Sequence, residues 1–306
     1  MSLGFQVERI DDVLIDGPES LSTQNLMSPF VWRAGNDAGL MLLLRAVPRH
    51  RRDDQESGCV WYGRSASNGL FFRMDDTPVL RPAPHGKDAT GCEDPTVVAT
   101  DDGYVVFYTG VDHEKTGHLL YATGKDMYSL EKRGVALPSS KTEKNTKEAT
   151  VRRDDGVWRL LYEYAHDDHS LIGLTEGESP SGPWVEQPDP FWPRPDKWDS
   201  WHLSTGPLLL TNPARPVMFY NGANRNPDWG IGWVALSADL RQVVDRCDGP
   251  LIAPPADATG PRDIAFAASL VETEGVIWLY YSRNDRELKR ATLRQTECDH
   301  PAPTFI

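Results

Sequence analysis

The segment Gly103-Tyr-Val-Val-Phe-Tyr-Thr109 is one of five similar stretches in this chain of 306 residues. Each stretch begins at a short turn, continues as a β-type run of apolar and aromatic residues, and ends on a polar residue. The other four are Gly39-Leu-Met-Leu-Leu-Leu-Arg45, Gly156-Val-Trp-Arg-Leu-Leu-Tyr-Glu163, Pro216-Val-Met-Phe-Tyr-Asn221 and Gly275-Val-Ile-Trp-Leu-Tyr-Tyr-Ser282. Successive turn residues are 64, 53, 60 and 59 positions apart. A period near sixty with several short strands per unit is typical of radial β repeats.

This repeat predicts an all-β fold, a five-bladed β-propeller. The 25 glycines and 24 prolines agree with many strands joined by turns. We expect a single domain over residues 1–306, with blades at approximately 25–75, 93–130, 147–186, 204–245 and 262–295. Residues 1 to about 24 form a leader that we expect to close the ring. The proline-rich stretch 187–199 is predicted to be a loop, because proline cannot donate to a sheet ladder.

Composition excludes several classes of partner. The net charge of −13 and the pI near 5.1 argue against nucleic acid or an anionic membrane. No apolar run approaches the roughly eighteen residues that span a bilayer, and the four cysteines show no close spacing typical of a disulfide frame or a metal site. We therefore expect a cytoplasmic protein with reduced thiols and without metal or cofactor. The sequence leaves its oligomeric state open.

The candidate functional residues lie where the first strand of each blade begins and the second ends. Those two points share one face of a propeller, because the hairpin between them turns the chain around. Several of the residues there are charged, and carboxylates gathered around one funnel need a cationic partner or shifted pKa values. Such a cluster is typical of a functional site. The candidates at and near these points are Asn25, Arg45, Asp94, Asp112, Glu148, Glu163, Trp201, His202, Asn221, Asp263, Arg283 and Asp285.

Purely structural interpretations stay open for some of these residues. Asp94 precedes Pro95, and an Asp-Pro step commonly starts a turn. Glu148 and Glu163 could pair with Lys147 or a nearby arginine at a sheet end. The segment 166–169, with the sequence His-Asp-Asp-His, resembles a metal motif, but two His and two Asp on a polar loop are more often plain surface.

Several motifs resemble glycoside hydrolase family 130, which comprises β-mannoside phosphorylases and mannosidases. Gly91-Cys-Glu-Asp-Pro-Thr96, followed by the strand at 102–109, is similar to that family's Gly-x-Glu-Asp-Pro-Arg segment. The supporting stretches run in the same order over about 250 residues. They are Leu43-Leu-Leu-Arg-Ala46, Gly63-Arg-Ser-Ala-Ser-Asn-Gly-Leu-Phe-Phe72, Asn145-Thr-Lys-Glu-Ala149, Gly206-Pro207 with Phe219-Tyr-Asn-Gly222, and Leu279-Tyr-Tyr281. Related furanosidase propellers share the architecture and are alternatives.

The resemblance implies that Asp94 donates the proton to the glycosidic oxygen, and that Asn25, Arg45 and Asp285 bind sugar hydroxyls. The family's arginine is replaced by Thr96, and its phosphate-binding histidine by Asn221. His202 stands roughly where phosphorylases have lysine. A site without these cations would hold phosphate poorly, because charge-assisted contacts are the strong ones.

The sequence therefore favours hydrolysis of a small, β-mannoside-like glycoside or oligosaccharide. One carboxylic acid would protonate the leaving oxygen, while a carboxylate activates water on the opposite face of the sugar. Asp94 is the predicted acid, and Glu163, with Glu148 second, is the predicted base. Glycoside phosphorolysis and non-catalytic glycan binding are the alternatives.

Overall fold

The chain folds almost entirely into β-strands. The computed structural model describes residues 2–33, 35, 39–50, 56–65, 68–226, 228–254 and 263–298. Within these ranges there is one helix, α1 (Glu19–Ser22). No helix in the described part of the chain is long and apolar enough to cross a membrane. Arg262, and Ala66 and Ser67 of the motif at 63–72, lie outside the described residues.

The strands form sheets that follow one another along the chain, and we group them into five units. The chain begins with β1 (Ser2–Asp12). Unit one contains β2 (Leu14–Asp16), β3 (Gln24–Arg33), β4 (Leu40–Pro48), β5 (Cys59–Ser65) and β6 (Phe71–Met74). Unit two contains β7 (Gly91–Thr100), β8 (Gly103–Val111), β9 (Gly117–Gly124) and β10 (Glu131–Leu137). Unit three contains β11 (Lys144–Asp154), β12 (Val157–His166), β13 (His169–Gly177) and β14 (Val185–Gln187).

The fourth unit is split into two small sheets. It contains β15 (His202–Ser204), β16 (Leu208–Leu209), β17 (Val217–Met218), β18 (Asn221–Ala223), β19 (Trp229–Ile231), β20 (Val234–Leu236) and β21 (Val243–Arg246). Unit five contains β22 (Ala265–Thr273), β23 (Val276–Arg283) and β24 (Glu287–Cys298). The strand orders are β15-β18-β19 and β16-β17-β20-β21 in unit four, and β1-β24-β23-β22 in unit five. The leader therefore supplies the outer strand of the last sheet.

The five repeated stretches occupy equivalent places. Each provides the second strand of its unit, namely β4, β8, β12, the β17–β18 segment and β23. Each pairs antiparallel with the first strand of the same unit. In unit four a Cβ on Gly206 would lie 1.8 Å from the carbonyl oxygen of Phe219. Glycine is therefore required where the first strand of this unit breaks into two pieces.

The apolar core lies between consecutive units. Successive residues of a strand point to opposite faces of its sheet, so Leu42 and Leu44 of β4 pack towards unit five while Leu43 packs towards unit two. Further clusters join unit two to unit three, and join unit three to units four and five. The middle strands are consequently apolar on both faces. Among the described cysteines, Cys59, Cys92 and Cys247 are free thiols.

Side-chain hydrogen bonds near the first strands also join each unit to the next. A buried asparagine carries the link between units four and five: Asn221 Nδ2 donates to the Thr205 and Ala267 carbonyls at 2.7 and 3.1 Å, and its Oδ1 accepts from Ala267 N at 2.7 Å. The other links are Ser28 Oγ to Asp94 at 2.6 Å, Thr96 Oγ1 to the Ala149 carbonyl at 2.6 Å, Thr150 Oγ1 to the Gly206 carbonyl at 2.9 Å and Ser269 Oγ to the Pro29 carbonyl at 2.7 Å.

We predict that Asn221→Ala lowers the free energy of unfolding by about 2–4 kcal/mol, because three buried backbone groups lose a partner. Urea denaturation measures this change. Asn212→Ala, at an exposed asparagine whose Oδ1 accepts from Ala214 N in a turn, is the matched control and should cost less than about 1 kcal/mol. Equal stability of the Asn221→Ala variant and the wild type would contradict this role.

Candidate active site

A polar cavity of about 430 Å³ lies at the beginning of the first strands and the end of the second strands. Units one, two, three and five contribute its charged residues, and units three, four and five contribute a histidine, two serines and aromatic residues. Its lining consists of Met27, Ser28, Arg45, Glu93, Asp94, Lys147, Glu148, Glu163, Ser170, His202, Trp229, Ile264, Phe266, Ser282 and Asp285.

Three of these residues occupy β-bulges on the first strands. Ser28, Asp94 and Glu148 have φ values of 50°, 46° and 52°, in the left-handed region that non-glycine residues rarely adopt. At each of them the register between the first and second strand shifts. Bulges re-aim side chains and are common next to active sites. The bulges therefore turn the side chains of three units toward a shared cavity.

Asp94 is buried and strongly bound. Its Oδ1 accepts a hydrogen bond from Ser28 Oγ at 2.6 Å and lies 3.4 Å from Arg45 Nη1. Burial acts to raise the pKa of Asp94, but the charge of Arg45 and the hydrogen bond from Ser28 outweigh it, so the pKa lies below its usual range. Asp94 is therefore ionised at neutral pH.

Glu148 is the opposite case. Burial raises its pKa well above the usual range, and the neighbouring negative charge of Asp94 raises it further. The two side chains share a hydrogen bond. In this hydrogen bond Glu148 is the donor and Asp94 the acceptor, because the pKa of Glu148 is raised and that of Asp94 is lowered. The two carboxyl groups therefore titrate as a pair.

Lys147 and Glu163 form an ion pair on the wall of the cavity. They are cross-strand partners on β11 and β12, and Lys147 Nζ lies 3.3 Å from Glu163 Oε1. The charge of Glu163 is the main reason that the pKa of Lys147 lies above its ordinary value. This is the pairing that the sequence analysis left open as a structural interpretation of Glu163.

Arg45 binds the remaining carboxylates of this wall. Its Nη2 lies 2.7 Å from Glu93 Oε1, and Nη2 and Nε also donate to the Ser57 carbonyl at 3.0 and 3.2 Å. Together with its contact to Asp94, these bonds occupy the guanidinium. The cavity thus has five carboxyl groups against two fixed cations, Arg45 and Lys147, and carboxylates engage both cations.

The cavity also has an aromatic wall. The rings of His202 and Trp229 stack at 5.7 Å with an 18° interplanar angle, and Phe266 packs edge-on against Trp229 at 5.3 Å. Ser170 N donates to His202 Nδ1 at 3.0 Å, which fixes the orientation of the imidazole. A cavity with one aromatic wall and one hydrogen-bonding wall matches the two faces of a sugar ring.

The structure brings six of the residues predicted from the sequence to this cavity. They are Arg45, Asp94, Glu148, Glu163, His202 and Asp285.

The other six predicted residues do not line it. Asn25 lies on β3 opposite Val47, Trp201 lines a separate cleft, and Asn221 is committed to the link between units four and five. Asp112 accepts hydrogen bonds from Lys87 and His118 at 3.1 and 3.0 Å. Arg283 lies 3.6 Å from Glu287, and the carbonyl of Asp263 accepts from Trp229 N at 2.8 Å.

Asp263 misses the cavity because of register. The residue paired with Ser282, at the end of the second strand of unit five, is Phe266. The first strand of this unit reaches the cavity through Ile264 and Phe266, directly after Asp263. The strand starts Glu93 and Lys147 and the loop tryptophan Trp229 were visible in the sequence but were not selected, and Phe266 gave no signal of its own.

The histidines of the segment 166–169 bind backbone instead of each other. The Nδ1 atoms of His166 and His169 are 2.9 Å from the Thr142 and Trp201 carbonyls. In the described part of the chain, no group of three or more His, Cys, Asp or Glu is placed to hold a metal ion.

Comparison with known proteins relates the whole chain to enzymes that act on mannosides. No family model matches the chain. It is 22% identical over 304 residues to the 1,2-β-oligomannan phosphorylase of Thermoanaerobacter sp. (strain X514), covering 96% of this chain and 99% of that protein.

Solved structures share the fold. The β-1,2-mannobiose phosphorylase of Listeria innocua, in complex with β-1,2-mannobiose, has a TM-score of 0.74 at 17% identity and covers 93% of this chain and 90% of its own. A second structure comes from the GH130 family of mannoside phosphorylases, which contains glycoside hydrolases that target β-1,2 mannosidic linkages in Candida mannan. Its TM-score is 0.73 at 19% identity, with 95% of this chain and 93% of that chain covered. The resemblance to glycoside hydrolase family 130 is therefore confirmed.

We predict that Arg45→Met lowers the free energy of unfolding by about 3–5 kcal/mol at pH 7.5, because two buried carboxylates lose their cation. The difference from wild type should shrink at pH 5. In the wild type, the lowered pKa of Asp94 stabilises the folded protein at pH values above the pKa that this carboxyl group has in the unfolded chain. Without Arg45, burial dominates and raises the pKa of Asp94 in the folded variant. Protonation of Asp94 at the lower pH then stabilises the folded variant, so the difference from wild type becomes smaller.

Urea denaturation at the two pH values tests this prediction. Arg64→Met is the control, since Arg64 is exposed and lies 3.5 Å from Asp75; it should change stability by less than about 1 kcal/mol. If Arg45→Met lowers the free energy of unfolding by the same amount at both pH values, the electrostatic explanation is contradicted.

Proposed function

We propose that this protein is a glycosidase that hydrolyses an oligosaccharide by single displacement in the axial cavity of a closed five-bladed propeller. The observation that carries this proposal is the coupled Asp94–Glu148 carboxyl pair in the same cavity as Glu163 and an aromatic wall.

The five-bladed closure is supported by the contacts between units. Hydrogen bonds link unit one to two, two to three, three to four, four to five and five to one. The apolar clusters follow the same succession. In a closed ring of this kind, the first strands surround one axis, which is where the cavity lies.

The Asp94–Glu148 pair is suited to the role of general acid. A general acid must hold its proton at working pH and release it to the leaving oxygen. Glu148 holds the proton because burial and Asp94 raise its pKa. The sequence pointed to Asp94 alone, whereas its low pKa argues that the proton belongs to the pair. We therefore assign the acid role to both residues as one unit.

Glu163 is suited to the role of general base. Its carboxylate lines the same cavity, and Lys147 balances its charge and holds its position at 3.3 Å. Inverting hydrolysis requires a base and an acid roughly 6.5–9.5 Å apart, with water between the base and the sugar. Asp285 and Arg45 line the cavity as further partners for sugar hydroxyls.

The aromatic wall of the cavity and the proteins similar to this chain both indicate the substrate class. The His202–Trp229 stack offers an apolar face for a pyranose ring, and the carboxylates offer acceptors for its hydroxyls. The relatives act on or bind β-1,2-linked mannosides. Oligosaccharides of β-1,2-linked mannose are therefore the first substrates to test.

The charges of the cavity favour water over phosphate as the acceptor. Five carboxyl groups and two engaged cations make the cavity anionic, and phosphate needs cations that are available to it. Two other arginines that could have bound phosphate make their contacts elsewhere. Arg152 donates to the Ala238 carbonyl at 2.8 Å, and Arg153 stacks on Trp158 at 5.5 Å.

Phosphorolysis is the second candidate, and one specific observation favours it. The 1,2-β-oligomannan phosphorylase named above aligns with 96% of this chain. If Arg45 or Lys147 exchanged its carboxylate for phosphate, the same cavity would transfer the sugar to phosphate.

We predict that Glu148→Gln and Asp94→Asn each reduce kcat about 10²–10⁴-fold, since each removes a partner of the shared proton. The double variant should be within a few-fold of the slower single variant, because the residues act as one unit. Initial rates on β-1,2-mannooligosaccharides measure both effects. Glu131→Gln, at an exposed glutamate of β10, is the control and should retain full activity. Near-normal turnover in either single variant would remove the pair from the mechanism.

We predict that cleavage yields free sugar at a rate that millimolar phosphate changes by less than about twofold, because the anionic cavity repels phosphate. Product chromatography with phosphate, and with sulfate at equal ionic strength, measures this. A sugar 1-phosphate formed in phosphate, with little free sugar in its absence, would instead establish phosphorolysis.

A further inference from the structure

A second, larger cleft lies between units three and four. Its volume is about 890 Å³, within the range of ligand sites. The loop 188–201 forms one side, and the turns that follow β12 and β18 form the other. Aromatic rings and hydrogen-bonding side chains line it together, among them Trp192, Trp201, Asp167, Asn224 and Arg225.

Trp192 presents its ring to solvent from this loop. It is 57% exposed, although burying such a ring would stabilise the protein substantially. The neighbouring residue Phe191 is buried and packs edge-on against Tyr220 at 5.4 Å. The sequence therefore places one aromatic residue in the core and the next in the cleft.

The backbone under Trp192 is rigid. Arg246 Nη1 donates to the Trp192 carbonyl at 2.9 Å, and Arg246 also binds the buried carboxylate of Asp199. Arg194 Nη2 and Tyr220 donate to the same carboxylate at 2.9 and 2.5 Å. An exposed ring on a fixed support can bind a ligand without an ordering cost.

The second aromatic residue of the cleft is also held in place. The ring of Trp201 lies 3.9 Å from the ring of His169, and the guanidinium of Arg225 lies 3.9 Å from its centroid. His169 is bonded in turn to the Trp201 carbonyl. These contacts hold Trp201 in place, and Arg225 lines the cleft beside it.

The cleft adjoins the axial cavity. His169 lines the cleft and Ser170 lines the cavity; Trp201 lines the cleft and His202 lines the cavity. A chain molecule whose end occupies the cavity would therefore pass across β13 and β15 into the cleft. Rings that alternate with donors and acceptors match the apolar faces and hydroxyls of successive sugar units.

We infer that this cleft binds the distal units of an oligosaccharide whose reacting end lies in the axial cavity, with Trp192 stacked on one sugar ring. The inference rests on the proposed function for its reacting end. It makes the protein selective for chains longer than a disaccharide, because only these reach Trp192.

The test compares chain lengths. Wild type, Trp192→Ala and Phe71→Ala are assayed on β-1,2-mannooligosaccharides of two to six units. Phe71 is the matched control, since it is an aromatic residue of β6, 49% exposed, that lines neither cavity. We expect the ratio of kcat/KM for the hexasaccharide to that for the disaccharide to fall about tenfold in Trp192→Ala. It should not change in Phe71→Ala. An unchanged ratio in Trp192→Ala would overturn the inference.

Calorimetric titration of the same oligosaccharides separates the inference from the proposed function. We expect binding to wild type to strengthen with chain length and to weaken in Trp192→Ala but not in Phe71→Ala. This result supports oligosaccharide binding at Trp192 even if no oligosaccharide is cleaved. Cleavage without any dependence of affinity on chain length would overturn the inference about the cleft and would leave the proposed function unaffected. Absence of both binding and cleavage would overturn both.

Discussion

Burial of every sheet between two neighbours is the constraint on which the rest of this structure depends. The middle strands carry apolar residues on both faces, as Leu42, Leu43 and Leu44 show in β4. Water and ligands therefore reach the sheets only at strand ends and edges. Charged groups that need solvent or a partner must collect at those ends, and the first strands bring their ends together. The polar cavity is a consequence of the packing that excludes polar residues from both faces of the middle strands.

The cavity balances its charges locally. Bulges at Ser28, Asp94 and Glu148 turn these side chains out of the ladder, and the unfavourable φ values persist because neighbouring units hold the strands in place. Arg45 stabilises two carboxylates, and Lys147 stabilises a third. The pKa of Glu148 is raised instead, by burial and by the charge of Asp94. The same contacts that make the cluster stable therefore engage both cations and raise the proton affinity of one carboxyl group.

The two cavities lie on different kinds of structure, one on strand ends and the other beside a loop. Strands fix side-chain positions more precisely than loops do. The loop 188–201 carries the exposed ring of Trp192 but is fixed to unit four through Asp199 and Arg246. Loops on a rigid scaffold commonly carry binding residues. Here a buried ion-pair network makes the loop nearly as well supported as a strand.

The sequence alone determined the repeat, the all-β character and the strand ends at which Arg45, Asp94, Glu148 and Glu163 meet, because alternating apolar runs and turn residues are local signals. It did not determine register. Asp263 was expected in the cavity, which Ile264 and Phe266 line instead, and Asn221 serves a link between units that no local pattern reveals. The pairing of Lys147 with Glu163 was visible as an alternative. The contacts of Arg45 with Glu93 and Asp94 were hidden, and so were the opposite pKa directions of Asp94 and Glu148. These depend on bulges, burial and neighbours far apart in the chain, which only the packing of one unit against the next decides.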